Sequence, residues 1–182
     1  TVAGIIEVID PAALPQKRRY HLPAGHAEVL LDRDSVNHLA PMVRLLVGIG
    51  RPLPTLVEAF RTGQGVPWDA YGEDSRQGVA ELNRPLFLHQ LGQEYLPIVK
   101  DVHRRLRADP PARVADMGCG LGWSGIGMAK AYPKIRVDGF DLDPASIETA
   151  RVNAKEAYLE DRVRFYVRDA GDTSLKGKYD LV

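Results

Sequence analysis

From residue 112 onward, apolar and polar positions alternate between the period of a strand and the period of a helix. Short apolar or alternating segments predict strands, and longer amphipathic segments between them predict helices. The predicted strands are Arg113–Met117, Ile135–Asp141 and Val163–Val167, and the predicted helices are Ser124–Tyr132 and Pro144–Tyr158. Tyr179–Val182 predicts the start of a fourth strand. This order predicts an α/β fold with a doubly wound parallel sheet.

The chain before this region is mostly helical in pattern, after a start rich in β-branched residues. Residues 1–23 predict a β-hairpin, because a run of isoleucine and valine is followed by a proline loop and a return at Arg18–Leu22. Apolar residues then recur at helical spacing in residues 24–62. Within that stretch Asp34 or Ser35 is the predicted N-cap of a helix.

Prolines mark a break within the helical region and the end of that region. Pro41 predicts either a kink in the helix that follows Ser35 or the start of a new helix. Asp109–Pro111 is the clearest linker. Before it, four residues form one predicted helical stripe: Leu96, Val99, His103 and Leu106. The pattern therefore divides the chain into a hairpin (1–23), a helical region (24–108) and a sheet domain (109–182).

Composition narrows the classes of protein to consider. The chain has 182 residues, 45% of them hydrophobic, and its 24 basic residues balance its 24 acidic residues. A neutral chain lacks the broad positive field of a long nucleic-acid groove, so no nucleic-acid partner is expected. No apolar run approaches the roughly 18 residues of a membrane span, and no signal pattern is present. We therefore expect a cytoplasmic protein without a membrane partner.

No spacing of histidine, cysteine, aspartate and glutamate predicts a metal site. Cys119 is the only cysteine, so it cannot form an internal disulfide. A lone cysteine without an adjacent base is usually inert, which favours a backbone role for this residue.

A glycine-rich turn joins the first strand to the first helix of the sheet domain. Asp116 ends the strand, and Gly118, Gly120 and Gly122 follow with the spacing Asp-x-Gly-x-Gly-x-Gly. Glycines let a ligand lie against the backbone because they have no Cβ, and the helix N-terminus offers free N–H groups. A carboxylate here suits a ligand with a cationic group better than it suits a pyrophosphate.

This turn resembles motif I of the class I S-adenosylmethionine-dependent methyltransferases, and the resemblance extends over residues 112–182. It implies a Rossmann-like sheet and S-adenosylmethionine as the cofactor, with its ammonium or sulfonium facing Asp116. It also implies that Asp141, at the end of the second strand, accepts hydrogen bonds from the ribose diol. The implied activity is transfer of a methyl group to a small-molecule acceptor.

The resemblance assigns further contacts at the ends of the strands. Leu142 is expected to pack on the adenine, Asp169 to accept from the adenine amino group, and the Ala170 N–H to meet a ring nitrogen. Together with the turn, the implied cofactor-binding residues are Asp116, Gly118, Cys119, Gly120, Asp141, Leu142, Asp169 and Ala170. Asp143 is predicted to be a helix N-cap.

Residues 68–106 resemble a bacterial branch of this family, notably at Tyr71-Gly72 and Asn83-Arg84-Pro85. Tyr71 is a further candidate for the cofactor site, through cation–π attraction to the sulfonium; packing within its loop is the competing and slightly favoured interpretation. Members of that branch carry an N-terminal winged-helix region. Residues 1–23 are then expected to be its wing, and residues 24–108 a cap and dimerisation region of a homodimer.

The sheet of this family continues beyond a fourth strand, whereas the sequence stops within it. We therefore expect a sheet truncated after the fourth strand, in a chain that lacks the acceptor-side residues. For this reason the sequence names no catalytic base.

Two alternative functions stay open on the sequence alone. The segment from Gly120 to Gly125 also matches G-x-G-x-x-G, and Asp141 lies where a nicotinamide-binding domain places its ribose-binding acid. Asp116 and the Asp169-Ala170 pair favour the methyltransferase over an NAD-dependent oxidoreductase. The wing-like hairpin leaves a second alternative, a non-catalytic winged-helix regulator that senses a ligand.

Overall fold

The parallel sheet forms as the sequence predicts. The computed structural model describes residues 3–182, apart from the side chain of Thr173. The sheet comprises β3 (Arg113–Met117), β4 (Arg136–Asp141) and β5 (Val163–Val167), with helices α7 (Trp123–Ala131) and α8 (Pro144–Glu156) between them. The strands lie in the order β3–β4–β5 and are all parallel. The predicted strands and helices differ from these only at their ends.

The start of a fourth strand lies on the other edge of β3. Leu181 pairs with Val114 in parallel, its carbonyl accepts from the Ala115 N–H at 2.9 Å, and the Asp180 N–H donates to the Arg113 carbonyl at 2.8 Å. The chain therefore turns to one side of β3 to form β4 and to the other side after β5. Such a reversal of strand order opens a crevice at the carboxyl ends of the strands, where open α/β sheets bind ligands.

The predicted hairpin is present but short. Strand β1 (Glu7–Val8) pairs antiparallel with β2 (Tyr20–His21), and a 3₁₀ turn at Pro15–Lys17 lies between them. The first two residues of the predicted hairpin lie outside the described residues.

The region that follows is helical, and the start of its second helix differs from the prediction. Its helices are α1 (Ala24–Leu31), α2 (Ala40–Gly50) and α3 (Leu53–Thr62). The predicted N-cap at Asp34 or Ser35 is wrong: Asp34 pairs with Arg84, and the Ser35 hydroxyl accepts from the Asn37 N–H at 3.1 Å within a turn. Pro41 lies in the first turn of α2, where its missing N–H costs nothing. It starts a helix and does not kink one.

A long helical stretch connects α3 to the sheet. It comprises a 3₁₀ turn (Trp68–Tyr71), α4 (Gly72–Pro85), a π-helical segment (Leu86–Tyr95), α5 (Leu96–Ile98) and α6 (Lys100–Arg107). The predicted stripe through Val99 is wrong as a continuous face, because Val99 has φ −85° and ψ 87° and separates two helices. None of the helices in residues 3–182 is long and apolar enough to cross a membrane.

Small residues let this stretch pack closely on both sides. A Cβ at Gly127 of α7 would lie 2.0 Å from the Phe87 carbonyl oxygen, so the π-helical segment rests directly on α7. On its other side, a Cβ at Gly78 of α4 would lie 2.6 Å from the Leu45 nitrogen of α2. Glycines at these crossings fix how α4 and its continuation lie over the sheet domain.

The core lies mainly between the sheet and the helices that cover it. Fully buried side chains from β3, β4 and β5 pack with others from α7 and α8, and Leu88, Leu91 and Leu96 of the helical stretch pack against this cluster. The face of α2 and α3 is different. Four apolar side chains there are more than half exposed: Val43 (68%), Leu46 (61%), Val47 (62%) and Phe60 (85%).

One carboxylate joins the linker, β3 and the start of the fourth strand. Asp180 accepts two hydrogen bonds from Arg105, at 2.8 and 3.0 Å, and one from the Arg113 N–H at 2.8 Å. Arg105 also donates to the Pro110 carbonyl at 2.8 Å. The Arg105 guanidinium holds the pKa of Asp180 below its usual value, and the Arg113 N–H lowers it further.

We expect Asp180→Asn to lower the free energy of unfolding by about 1 kcal/mol at neutral pH, the usual size of a partly exposed charge-assisted hydrogen bond. A carboxylate whose pKa is lowered by folding stabilises the protein above its unfolded pKa, and this stabilisation is lost as pH falls through the folded pKa. Urea titrations of parent and variant at pH 7 and at successively lower pH check this. The difference should shrink only below about pH 4; a difference independent of pH would contradict the assignment.

Candidate active site

Two adjoining cavities occupy the crevice at the carboxyl ends of the strands. The first has a volume of about 560 Å³ and lies between the glycine-rich turn and α4. The second, of about 510 Å³, lies over the ends of β4 and β5. Trp68, Gly118 and Asp141 line both cavities. An elongated ligand could therefore occupy the two together.

The glycine-rich turn is open on the side of the cavities and closed behind. Gly118, Gly120 and Gly122 have φ of 71°, 52° and 83°, a region that favours glycine. A Cβ added at Gly118 or Gly120 would meet no atom within 4 Å, whereas one at Gly122 would lie 2.4 Å from the Phe165 ring. Gly122 thus allows the turn to pack on the sheet, and the other two glycines leave room for a ligand.

Asp116 is a largely buried carboxylate at the end of β3. Its Oδ2 accepts from the Ser124 hydroxyl at 2.5 Å, and the Gly125 N–H of α7 also donates to this carboxylate. Burial raises the pKa of Asp116 despite these two donors. Asp116 and Ser124 both line the first cavity. The sequence indicated Asp116, but it did not indicate the hydroxyl that orients it.

Asp141 holds the first two loops together. Its Oδ2 accepts from the Gly120 N–H at 2.9 Å, and its Oδ1 accepts from the Asp143 N–H at 2.9 Å. Both oxygens retain further acceptor capacity, since an ionised carboxylate offers about four lone-pair positions. Asp141 can therefore bind a hydroxyl ligand while it braces the glycine-rich turn.

The second cavity is lined by three more of the residues that the sequence predicts to bind the cofactor. Leu142, Asp169 and Ala170 all line it. Leu142 is 68% exposed, so it presents an apolar side chain without contributing to the core. The Asp169 Oδ1 accepts from the Gly171 N–H at 2.7 Å, which shapes the loop after β5. These residues form an apolar and acidic rim suited to the flat face and amino group of a base.

Cys119 lines the first cavity but is buried, and burial raises the pKa of its thiol. The Phe140 carbonyl accepts from the N–H groups of Gly118 and Cys119 at 2.8 and 3.1 Å. A protonated, buried thiol is a poor nucleophile, so what Cys119 offers here is a small residue in a tight turn.

Trp68, which the sequence did not single out, is the aromatic residue that lines both cavities. Tyr71 packs against it, with ring centroids 5.7 Å apart, and Tyr71 itself is not among the residues that line either cavity. Both lie in the 3₁₀ turn that precedes α4. The competing interpretation of Tyr71 as a packing residue agrees with this geometry.

Helix α4 and its continuation form the wall opposite the glycine-rich turn. The residues that they contribute to the first cavity are Arg76, Val79, Ala80, Asn83 and Phe87. Of these residues, the sequence analysis named only Asn83, as part of the family resemblance. The sequence predicted a helix here, but its spacing did not indicate which face of the helix would cover the crevice.

Asp143 occupies the predicted N-cap position of α8. Its carboxylate makes no capping hydrogen bond to the backbone. It accepts instead from the Ser146 hydroxyl at 2.7 Å and pairs with Arg76 across the crevice at 3.5 Å. In residues 3–182, no group of three or more acidic, histidine or cysteine side chains could hold a metal ion.

Known proteins resemble this chain in sequence over part of its length. The family model described as "Methyltransferase small domain" matches residues 102–182. A tRNA1(Val) (adenine(37)-N6)-methyltransferase of Porphyromonas gingivalis is 32% identical over 77 residues, which are 40% of this chain and 30% of that protein. A norajmaline N-methyltransferase of Rauvolfia serpentina is 38% identical over 73 residues, or 40% of this chain and 25% of that protein. The matched segments thus span a third or less of these relatives.

Solved structures resemble the chain over nearly its whole length. An O-methyltransferase family protein from Burkholderia thailandensis has a TM-score of 0.62 and 19% identity, and the match covers 97% of this chain and 50% of that chain. Identity this low establishes only the fold. The shared fold includes the helical region before the sheet, because the match covers 97% of this chain. Residues 102–182 are therefore similar in sequence to a methyltransferase domain, and the chain shares the fold of the O-methyltransferase family protein.

Proposed function

We propose that this chain carries the cofactor site of an enzyme that transfers a methyl group from S-adenosylmethionine to a small-molecule acceptor. The observation that carries the proposal is the pair of carboxylates at neighbouring strand ends, Asp116 in the first cavity and Asp141 between the two cavities. The first fits the cationic end of the cofactor, and the second fits its ribose. The family match of residues 102–182 supports the same cofactor.

Each end of the crevice suits one end of the cofactor. Leu142, Asp169 and Ala170 would hold the adenine in the second cavity, and Asp141 would accept from the ribose hydroxyls. Asp116, kept in place by Ser124, would accept from the ammonium in the first cavity. The open faces of Gly118 and Gly120 leave space for the chain that joins these ends.

When bound, S-adenosylmethionine supplies a methyl group activated by the sulfonium, and the acceptor displaces the sulfur in line. The protein contributes alignment of the two reactants and exclusion of water from the crevice. Trp68, Phe87 and Trp123 line the first cavity and give its wall three aromatic side chains. They favour a compact apolar acceptor next to the cofactor.

A small molecule is favoured over a nucleic acid as the acceptor, although one relative is named for a tRNA substrate. The cavity next to the glycine-rich turn has a volume of about 560 Å³ and several aromatic side chains in its wall, and the chain has no net charge. Duplex or folded RNA needs an extended positive surface. The relative named for norajmaline is an example of the small-molecule alternative.

The helical region, residues 24–108, would enclose the acceptor and join two copies of the chain. Its α4 already walls the first cavity, and α2 and α3 carry exposed large apolar side chains of the kind that protein interfaces cover. A second copy is the occupant we propose. The assignment of residues 1–23 as a wing, and of the cytoplasm as the location, stay predictions.

We expect the parent protein to bind S-adenosylhomocysteine in a calorimetric titration, and Leu142→Ala to bind it about fivefold more weakly. The reason is the loss of about 1 kcal/mol of apolar contact to the adenine. Val152→Ala is the matched control, because Val152 is also half exposed (51%) and lies outside both cavities. Protection against thermal unfolding by NAD but not by S-adenosylhomocysteine would instead favour the oxidoreductase.

Asp116→Asn separates binding from folding. The amide keeps an oxygen for Ser124 but removes a charge whose pKa burial has raised, so the melting temperature without ligand should be unchanged or higher. The affinity for S-adenosylhomocysteine should fall by about tenfold or more, because the charge-assisted bond to its ammonium is lost. Unaltered affinity in this variant would remove Asp116 from the cofactor site.

Phe60→Asp is expected to convert a dimer into a monomer, measured by light scattering during gel filtration. Phe60 is 85% exposed, so the substitution removes an apolar contact between copies without opening the core of one copy. Tyr158→Asp is the control, since Tyr158 is 88% exposed on the sheet domain. A parent protein that is monomeric at all concentrations would rule out this use of the face.

A further inference from the structure

We propose that a third cavity, at the C-terminal end of α7, binds an organic phosphomonoester through Arg107, Tyr132 and Lys134. This cavity has a volume of about 600 Å³ and lies between α6, the π-helical segment and the loop that follows α7. Helix α7 begins at the glycine-rich turn and has 9 residues, so the cavity and the crevice lie at opposite ends of a helix about 13 Å long. The proposal therefore concerns a second site and does not rest on the cofactor.

The charged side chains that line this cavity are basic. Arg107 comes from α6 and Lys134 from the loop after α7, and no aspartate or glutamate of the described residues lines it. Asp109, which is not a lining residue, pairs with Lys134 at 2.6 Å. An ammonium has three N–H donors, so Lys134 keeps two of them for a ligand. Two cations from separate elements favour an anion in the space that they share.

A chain of hydrogen bonds makes the Tyr132 hydroxyl a donor. An arginine side chain can only donate, so the 3.4 Å contact from the Arg107 Nη1 makes the His103 Nε2 an acceptor. The ring hydrogen of His103 is then on Nδ1, which donates to the Tyr132 hydroxyl oxygen at 2.8 Å. Within residues 3–182, no acceptor is recorded for the hydroxyl hydrogen of Tyr132. Burial raises the pKa of Tyr132, so the hydroxyl keeps this hydrogen at neutral pH.

Tyr132 is a buried polar residue as well as a lining residue. It is 3% exposed, and its ring is in edge contact with His103, with centroids 5.7 Å apart. A buried donor without an acceptor costs folding free energy. A ligand oxygen in the cavity would provide that acceptor. The site therefore combines two cations with one fixed neutral donor.

This set of donors suits a phosphomonoester better than a carboxylate. A phosphomonoester has close to two negative charges and three strong acceptor oxygens, so it can meet donors from several directions. A carboxylate has one charge and two oxygens. The volume exceeds what a phosphate ion needs, and Leu106, Ala131 and Pro133 give the cavity apolar side chains. An organic group attached to the phosphate would pack against them.

Helix capping does not account for these basic residues. Lysine and arginine near helix C-termini often stabilise the terminal carbonyls. At α7 that role belongs to Arg162, which donates to the Ala129 carbonyl at 3.2 Å. The side-chain hydrogen bonds recorded for Arg107 and Lys134 within residues 3–182 go instead to His103 and Asp109.

The first test is a calorimetric titration of the parent protein with phenyl phosphate, in a buffer free of phosphate. The expected dissociation constant is about 1 mM or lower, and S-adenosylhomocysteine should change it by less than about twofold because the two sites are separate. Benzoate and inorganic phosphate should each bind at least about tenfold more weakly, since one lacks the dianion and the other lacks the apolar group.

The second test uses variants of the proposed ligands. Arg107→Gln should weaken phenyl phosphate binding by about tenfold, and Tyr132→Phe by about fivefold, because each removes a hydrogen bond to the phosphate. Arg104→Gln is the matched control. Arg104 lies on the same helix, its side chain is 75% exposed, and it does not line the cavity. This variant should bind within about twofold of the parent.

Several outcomes would overturn the proposal. A parent that binds no phenyl phosphate up to about 10 mM would do so without any variant. Equal weakening in Arg104→Gln and Arg107→Gln would reduce the effect to diffuse surface charge, and equal affinity for inorganic phosphate would remove the organic ligand. Displacement by S-adenosylhomocysteine would place the phosphate in the crevice. Failure of S-adenosylhomocysteine to bind would overturn the proposed function and leave this site unaffected.

Discussion

The contact on which the crevice most depends is the Asp141 carboxylate between two backbone N–H groups. One belongs to Gly120 in the turn after β3, and the other belongs to Asp143 in the turn after β4. Two loops that are far apart in sequence are thereby fixed at hydrogen-bond distance. Together with the Phe140 carbonyl, which accepts from the Gly118 and Cys119 N–H groups, this contact holds the first turn in the conformation that leaves space for a ligand. The same carboxylate lines both cavities and still has acceptor capacity.

The first cavity has charged side chains on two opposite walls. Asp116 is the most deeply buried, and its pKa is raised because desolvation outweighs the donors from Ser124 and Gly125. A buried carboxylate of this kind costs folding free energy and is retained where a cation completes it. Across the cavity, Arg76 pairs with Asp143 at 3.5 Å. The two walls of the first cavity therefore carry side chains of opposite charge.

Helix α4 bounds the first cavity on the side opposite the glycine-rich turn. Close contacts at Gly78 against α2, and at Gly127 against the π-helical segment, leave little freedom in how this helix lies over the sheet domain. As a result Arg76, Asn83 and Phe87 reach the crevice from a part of the chain before the linker. The sheet domain supplies the glycine-rich turn and the carboxylates, and the helical region supplies the wall opposite them. Neither part forms the first cavity alone.

The sequence by itself determined the parallel sheet, its order of strands and helices, and the acidic residues at the strand ends. These follow from local rules: period-two and helical patterns, glycines that accept a left-handed backbone, and carboxylates placed where strands end. Tertiary structure decided between the two helix starts that the sequence offered: Asp34 pairs with Arg84, a residue distant in sequence, and α2 begins at Ala40 with Pro41 in its first turn. It also decided that Trp68, rather than Tyr71, borders the cavities, and that Arg76 faces Asp116. Those facts depend on how α4 crosses the sheet domain, which is set by contacts between segments that no local pattern pairs.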